Sequence, residues 1–117
     1  MSSFITIDSA RLRDMALAAL ENINAQYDSD MLALDKRYLK IKESFDAAMK
    51  ESQKHWWRAT PTYPDDLVDH KRQKGWNMKI LETRREVPRR ILVATSLVNE
   101  VNVSVKDLEI IKSWSDV

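Results

Sequence analysis

Residues 17–48 read LAALENINAQYDSDMLALDKRYLKIKESFDAA, with apolar side chains returning every three or four positions. Written as heptads, the a positions are Leu17, Asn24, Met31, Tyr38 and Phe45. The d positions are Leu20, Tyr27, Leu34, Ile41 and Ala48. Nine of these ten are apolar or aromatic, while the f positions Asn22, Ser29, Lys36, Glu43 and Lys50 are all polar. That periodicity predicts a long amphipathic helix of coiled-coil or bundle type. Upstream, Thr6-Ile7-Asp8-Ser9 supplies helix-starting residues, with Asp8 the better cap because its carboxylate also suits the positive helix end. No Pro or Gly follows until Pro61, so the helix is expected to occupy most of residues 1–60. A helix of about 50 residues is about 75 Å long and needs something packed along it.

The flanking charges favour antiparallel packing. A parallel homodimer sets Asp30 against Asp35 and Arg37 against Lys42, whereas reversal lets Asp35 meet Lys42 and Asp30 meet Arg37. The seam is expected either within the chain or in an antiparallel homodimer, with the lone polar Asn24 setting its register. A second apolar stripe of Leu32, Leu39, Met49 and Trp56 lies off the seam. It is expected to be covered by the C-terminal segment.

The long helix stops at residues 55–64, HWWRATPTYP, where Pro61 and Pro64 end it. In heptad phase Trp56 extends the second stripe, while Trp57 falls at f, where every earlier heptad is polar. Residues 61–75 read as a linker and a short helix opened by Asp65, Asp66 and Asp69. The DDLVDH cluster at 65–70 reads as helix-capping chemistry, not as a metal site, because no second ligand cluster accompanies it. Residues 76–117 read as a C-terminal helical segment packing back on the long helix, giving one structural domain. Helices are expected at 65–74, 76–86, 88–101 and 104–115, the last with Ser104 and Asp107 as a variant capping box. The fold class is therefore all-α: a long N-terminal helix, antiparallel packing and a small C-terminal bundle. The runner-up is α+β with a small sheet in 76–105, since Trp76, Met78 and Ile80 alternate, as do Val101, Val103 and Val105.

Composition narrows the function. The single glycine, Gly75, leaves no phosphate-binding loop or dinucleotide fingerprint. Zero cysteines exclude disulfides, thiol nucleophiles and thiolate metal sites, in keeping with a cytoplasmic setting. Neither a membrane span nor a secretory signal is expected, because no apolar run approaches about 20 residues and the N-terminus has no basic region before an apolar block. The two histidines, His55 and His70, sit in no catalytic or zinc motif. No catalytic residue, cofactor or metal is expected.

Charge is concentrated instead. Residues 70–90 hold Lys71, Arg72, Lys74, Lys79, Arg84, Arg85, Arg89 and Arg90 against only Glu82 and Glu86, or 8 − 2 = +6. Together with Trp56, Trp57, Arg58 and Trp76 this strip is the candidate binding site. Arg and Trp are favoured in protein interfaces, and basic side chains interleaved with aromatics also suit nucleic acid. The expected function is a non-enzymatic protein-binding module, a small regulator or inhibitor of phage or mobile-element type. Nucleic-acid binding through 70–90 and a structural coiled-coil oligomer are the alternatives.

Overall fold

A computed structural model describes residues 3–55, 57 and 59–116. In chain order its elements are β1 (Phe4–Asp8), α1 (Ser9–Lys54), α2 (Asp65–Ala94), β2 (Glu100–Ser104) and α3 (Val105–Ser115). The chain forms two compact units, Met1–Tyr27 with Lys79–Val117 and Asp28–Met78, and both long helices contribute to each.

The uninterrupted helix expected from the heptads is α1, which stops at Lys54, several residues short of the prolines expected to end it. Asp8 caps it, its carboxylate accepting from the Arg11 amide at 3.1 Å. In the first unit α1 packs antiparallel to α2: Arg13 reaches the Leu92 carbonyl, and Asn24 Oδ1 accepts from Arg85 Nε at 2.9 Å. The one polar seam residue therefore does set a register, but against the same chain.

Leu12, Ala16 and Ala19 of α1 form the first unit's core with Ile91, Val103, Leu108 and Ile111, and Ile23 is also buried. This stripe does not follow the heptad phase of residues 31–45: Leu17 is 48% exposed. Here α1 lies against a sheet and α3 as well as α2, and two of its three residues in this cluster are alanines.

Several sequence expectations are corrected. The first concerns the sheet. The alternation at Val101 and Val103 is a strand, but its partner lies at the N-terminus, outside 76–105: β1 and β2 pair antiparallel from Phe4↔Ser104 to Asp8↔Glu100. The first four residues of FITID are β-branched or aromatic, but their ladder partner is almost a chain length away, which local pattern cannot reveal. Trp76, Met78 and Ile80 are helical.

The second correction concerns α2, which is one helix where breaks were expected at Gly75 and before Pro88, and it stops at Ala94 instead of continuing to 101. Pro88 costs the hydrogen bond that the Arg84 carbonyl would accept. Its ring is fully buried on the packed face of α2, so tertiary burial outweighs the local penalty. Thr95 closes the helix by bonding the Ile91 carbonyl through Oγ1 at 2.9 Å. The α3 start matches its sequence signature, with Ser104 Oγ accepting from the Asp107 amide.

Gly75 is exposed on α2, and a Cβ built there meets nothing within 4 Å. Gly75→Ala is therefore expected to stabilise the protein by about 1 kcal/mol, because alanine removes the glycine's backbone entropy cost in a helix. An unchanged or lower urea midpoint would show that α2 is not continuous there.

In the second unit α1 and α2 form an antiparallel hairpin. Met31 Sδ accepts from Asn77, Arg37 pairs with Asp66 at 3.3 Å, and Phe45 meets Tyr63 edge-on at 5.2 Å. Met31, Leu34, Tyr38, Ile41 and Phe45 are half-buried, and Leu67 is the one buried residue among the described residues of this unit. Of the second apolar stripe, Met49 is half-buried and Trp56 lies outside the described residues, but the expected cover is missing at Leu32 and Leu39, which are exposed. They lie on the side of α1 away from the hairpin seam, since Leu32 and Leu34 are about 200° apart around the helix.

Candidate functional site

The sequence-derived binding residues divide between the two units. In the second unit, Trp57 follows the end of α1. It is 66% exposed, with its ring tilted against His55 at 4.8 Å. Its neighbours Trp56 and Arg58 lie outside the described residues. On α2, Lys71 and Arg72 are exposed and Trp76 is 59% exposed. Arg72 pairs with Asp69 at 3.7 Å, and both line a shallow depression with Gln73 and Trp76. Lys74 is half-buried and pairs with Asp35 at 3.3 Å.

In the first unit most of the strip is used internally. Arg84 stacks over the Trp114 ring at 4.9 Å, Arg85 binds Asn24, and Arg90 pairs with Asp107 at 3.2 Å. Arg89 is exposed. The +6 charge of residues 70–90 is thus not a single open face, because Lys74, Arg84, Arg85 and Arg90 neutralise or cross-link neighbouring elements.

The sequence did not single out the polar tie at the centre of the hairpin. His70 Nε2 lies 3.1 Å from Asp35 Oδ1, so that nitrogen carries the hydrogen, and the imidazole stacks on Tyr38 with centroids 4.1 Å apart. A cleft of about 190 Å³ opens beside it, lined by Leu34, Arg37, Tyr38, Ile41, Asp66, Asp69, His70 and Gln73. Residues 35 and 70 are far apart in sequence, and neither belongs to a recognisable motif. The only signal was that Tyr38 sat in the expected seam and Asp35 beside it; His70 read as part of the capping cluster at 65–70. Among the described residues, no group of three or more His, Cys, Asp or Glu side chains could hold a metal ion.

The hydrogen bond from His70 holds the Asp35 carboxyl below the usual carboxylate range; partial burial opposes this, and Lys74 reinforces it. A depressed folded-state pKa contributes stability that is present above the unfolded value and lost as pH falls through the folded value. Asp35→Asn should therefore lower stability by a constant amount above about pH 5, and that difference should shrink as pH falls below 4. Urea midpoints of both proteins from pH 2.5 to 7 check this. A difference that persists undiminished at pH 2.5 would exclude the ionic contribution.

No protein-family model, curated protein or solved structure gives a significant match to the chain.

Proposed function

We propose that this chain is a non-enzymatic interaction protein that acts by laying the second unit against another macromolecule. One observation carries the reading. Leu32, Leu39, Trp57, Tyr63, Val68 and Trp76 of that unit are each 52–66% exposed, while Leu67 alone among its described residues is buried. Two helices cover each other on one side only, and exposed apolar side chains in this density mark surfaces that a partner completes. Trp57 and Trp76, with Arg72 beside the latter, are of the residue types that dominate binding energy at protein interfaces. A small regulator or inhibitor, of the kind phage and mobile elements encode and acting in the cytoplasm of the cell or infected host, fits such a surface. No helix among the described residues is long and apolar enough to cross a membrane.

Affinity capture from host extract, followed by binding of the purified partner, tests the proposal. Wild-type protein should bind a single partner stoichiometrically, and Trp57→Ala and Trp76→Ala should each weaken binding by at least about tenfold, a typical hot-spot loss. Binding unaffected by both substitutions would overturn it. Internal use of Lys74, Arg84, Arg85 and Arg90 supports a protein partner over a polyanion. Random-sequence DNA or RNA is accordingly expected to bind weakly even at low salt. Tight binding that falls steeply with salt and is lost in Arg84→Ala/Arg85→Ala would favour the nucleic-acid reading.

A further inference from the structure

The register of the two-stranded sheet determines which backbone groups face outward. Ser3 accepts from the Val105 amide at 3.0 Å and the Ser9 amide donates to Asn99 at 2.8 Å. Both pairs belong to the same ladder as Ile5↔Val103 and Ile7↔Val101. Odd-numbered residues of β1 therefore turn their N–H and C=O groups toward β2. Phe4, Thr6 and Asp8 turn theirs to the other side, where no strand pairs with β1 among the described residues. An unpaired edge of this kind is a template for another strand.

Beside that edge is a cleft of about 410 Å³. Four consecutive β1 residues line it but no residue of β2 does, which places it on the open side of the strand. Its apolar walls are Ile5, Ile7, Met15 and Leu108, and Arg11 and Lys112 bring two positive charges. Neither cation has an ion pair among the described residues; Asp8 also lines the cleft, one oxygen of its carboxylate accepting from the Arg11 amide, so the net charge there is positive. A strand added to β1 would send every second side chain toward this cleft.

We infer that the free edge of β1 docks an extended peptide with aliphatic side chains at alternate positions and an acidic residue that meets Arg11 and Lys112. Main-chain bonds to Phe4 and Thr6 supply general affinity, and the cleft supplies selectivity. A second copy of β1 fits less well. Antiparallel self-pairing sets its Asp8 opposite Phe4, about 13 Å along the strand from the Asp8 end where Arg11 sits. The inference concerns the first unit and does not depend on the partner proposed for the second.

The probe is a fluorescein-labelled hexapeptide, Glu-Thr-Val-Thr-Val-Thr, which sets the acid and both valines on one face, compared with its Lys-Thr-Val-Thr-Val-Thr counterpart by anisotropy, with amide shifts followed by NMR. The acidic probe should bind at least about fivefold more tightly than the basic one, as two partly exposed ion pairs allow. Shifts should centre on Phe4 and Thr6. Arg11→Glu/Lys112→Glu should reverse the preference. Thr6→Pro removes an outward-facing donor and leaves the β2 ladder bonds in place, so it should abolish binding while circular dichroism stays unchanged. Equal binding of the two probes, or full affinity in a folded Thr6→Pro protein, would overturn the inference. So would a probe-free dimer in sedimentation that Thr6→Pro dissociates, since the edge would then pair with itself.

Discussion

Ile111→Ala is expected to destabilise the protein by about 2–5 kcal/mol, the range for deleting a large aliphatic side chain from a closed core. Ile111 is fully buried and shares a cluster with Leu12, Ala16 and Ala19 of α1, Ile91 of α2, Val103 of β2 and Leu108 of α3. Removing three carbons there leaves a cavity walled by both α-helical and β elements, and rigid neighbours on every side limit its collapse. Domains of this size are stable by only about 5–15 kcal/mol, so the loss is a large fraction of the whole. Urea unfolding followed by circular dichroism measures it. Leu97→Ala is the matched control: Leu97 is 93% exposed, and its truncation should cost no more than about 0.5 kcal/mol. A loss below 1 kcal/mol at Ile111 would mean that α3 is not seated on this core.

Ala19→Leu tests the same core from the opposite direction. Ala16 and Ala19 are fully buried, and they share one cluster with side chains of α2, β2 and α3. A leucine at 19 has no open space to enter, so neighbouring side chains must leave their rotamers or the helix must move. Overpacking of this kind costs about 1–3 kcal/mol. The same substitution at exposed Ala25 leaves helix propensity nearly unchanged and should be close to neutral. If Ala19→Leu proved as stable as Ala25→Leu, closed packing around Ala19 would be disproved.

The two tests differ in how far sequence anticipates them. Leu108 and Ile111 were legible as the inner face of a short C-terminal helix, because their three-residue spacing follows a recognisable cap at Ser104. Ala16 and Ala19 were not. The heptads set by the large side chains of residues 31–45 placed Leu17 in the seam, and alanine carries too little hydrophobic signal to contest that phase. For the candidate site, the strip of residues 70–90 was legible as composition. Its division into tied and free cations was not, since the ties to Asn24, Asp35, Asp107 and Trp114 come from distant parts of the chain. His70 shows the same limit. On its own helix it looked like part of an acidic first turn, and only the return of α1 brings Asp35 and Tyr38 to it.

By itself, the sequence determined what short-range physics controls. The three-to-four periodicity made α1 a helix, Asp8 and Ser104 started α1 and α3, Pro61 and Pro64 kept the segment before α2 out of helix, and the charges beside the seam favoured an antiparallel neighbour. Only the tertiary structure decided that Gly75 and Pro88 lie inside one continuous helix, because burial along α2 exceeds the local cost of either residue. It also decided that Phe4–Asp8 and Glu100–Ser104 make a sheet. Strand pairing is a contact between segments nearly a hundred residues apart, and its energy is absent from either segment until the helices bring them together.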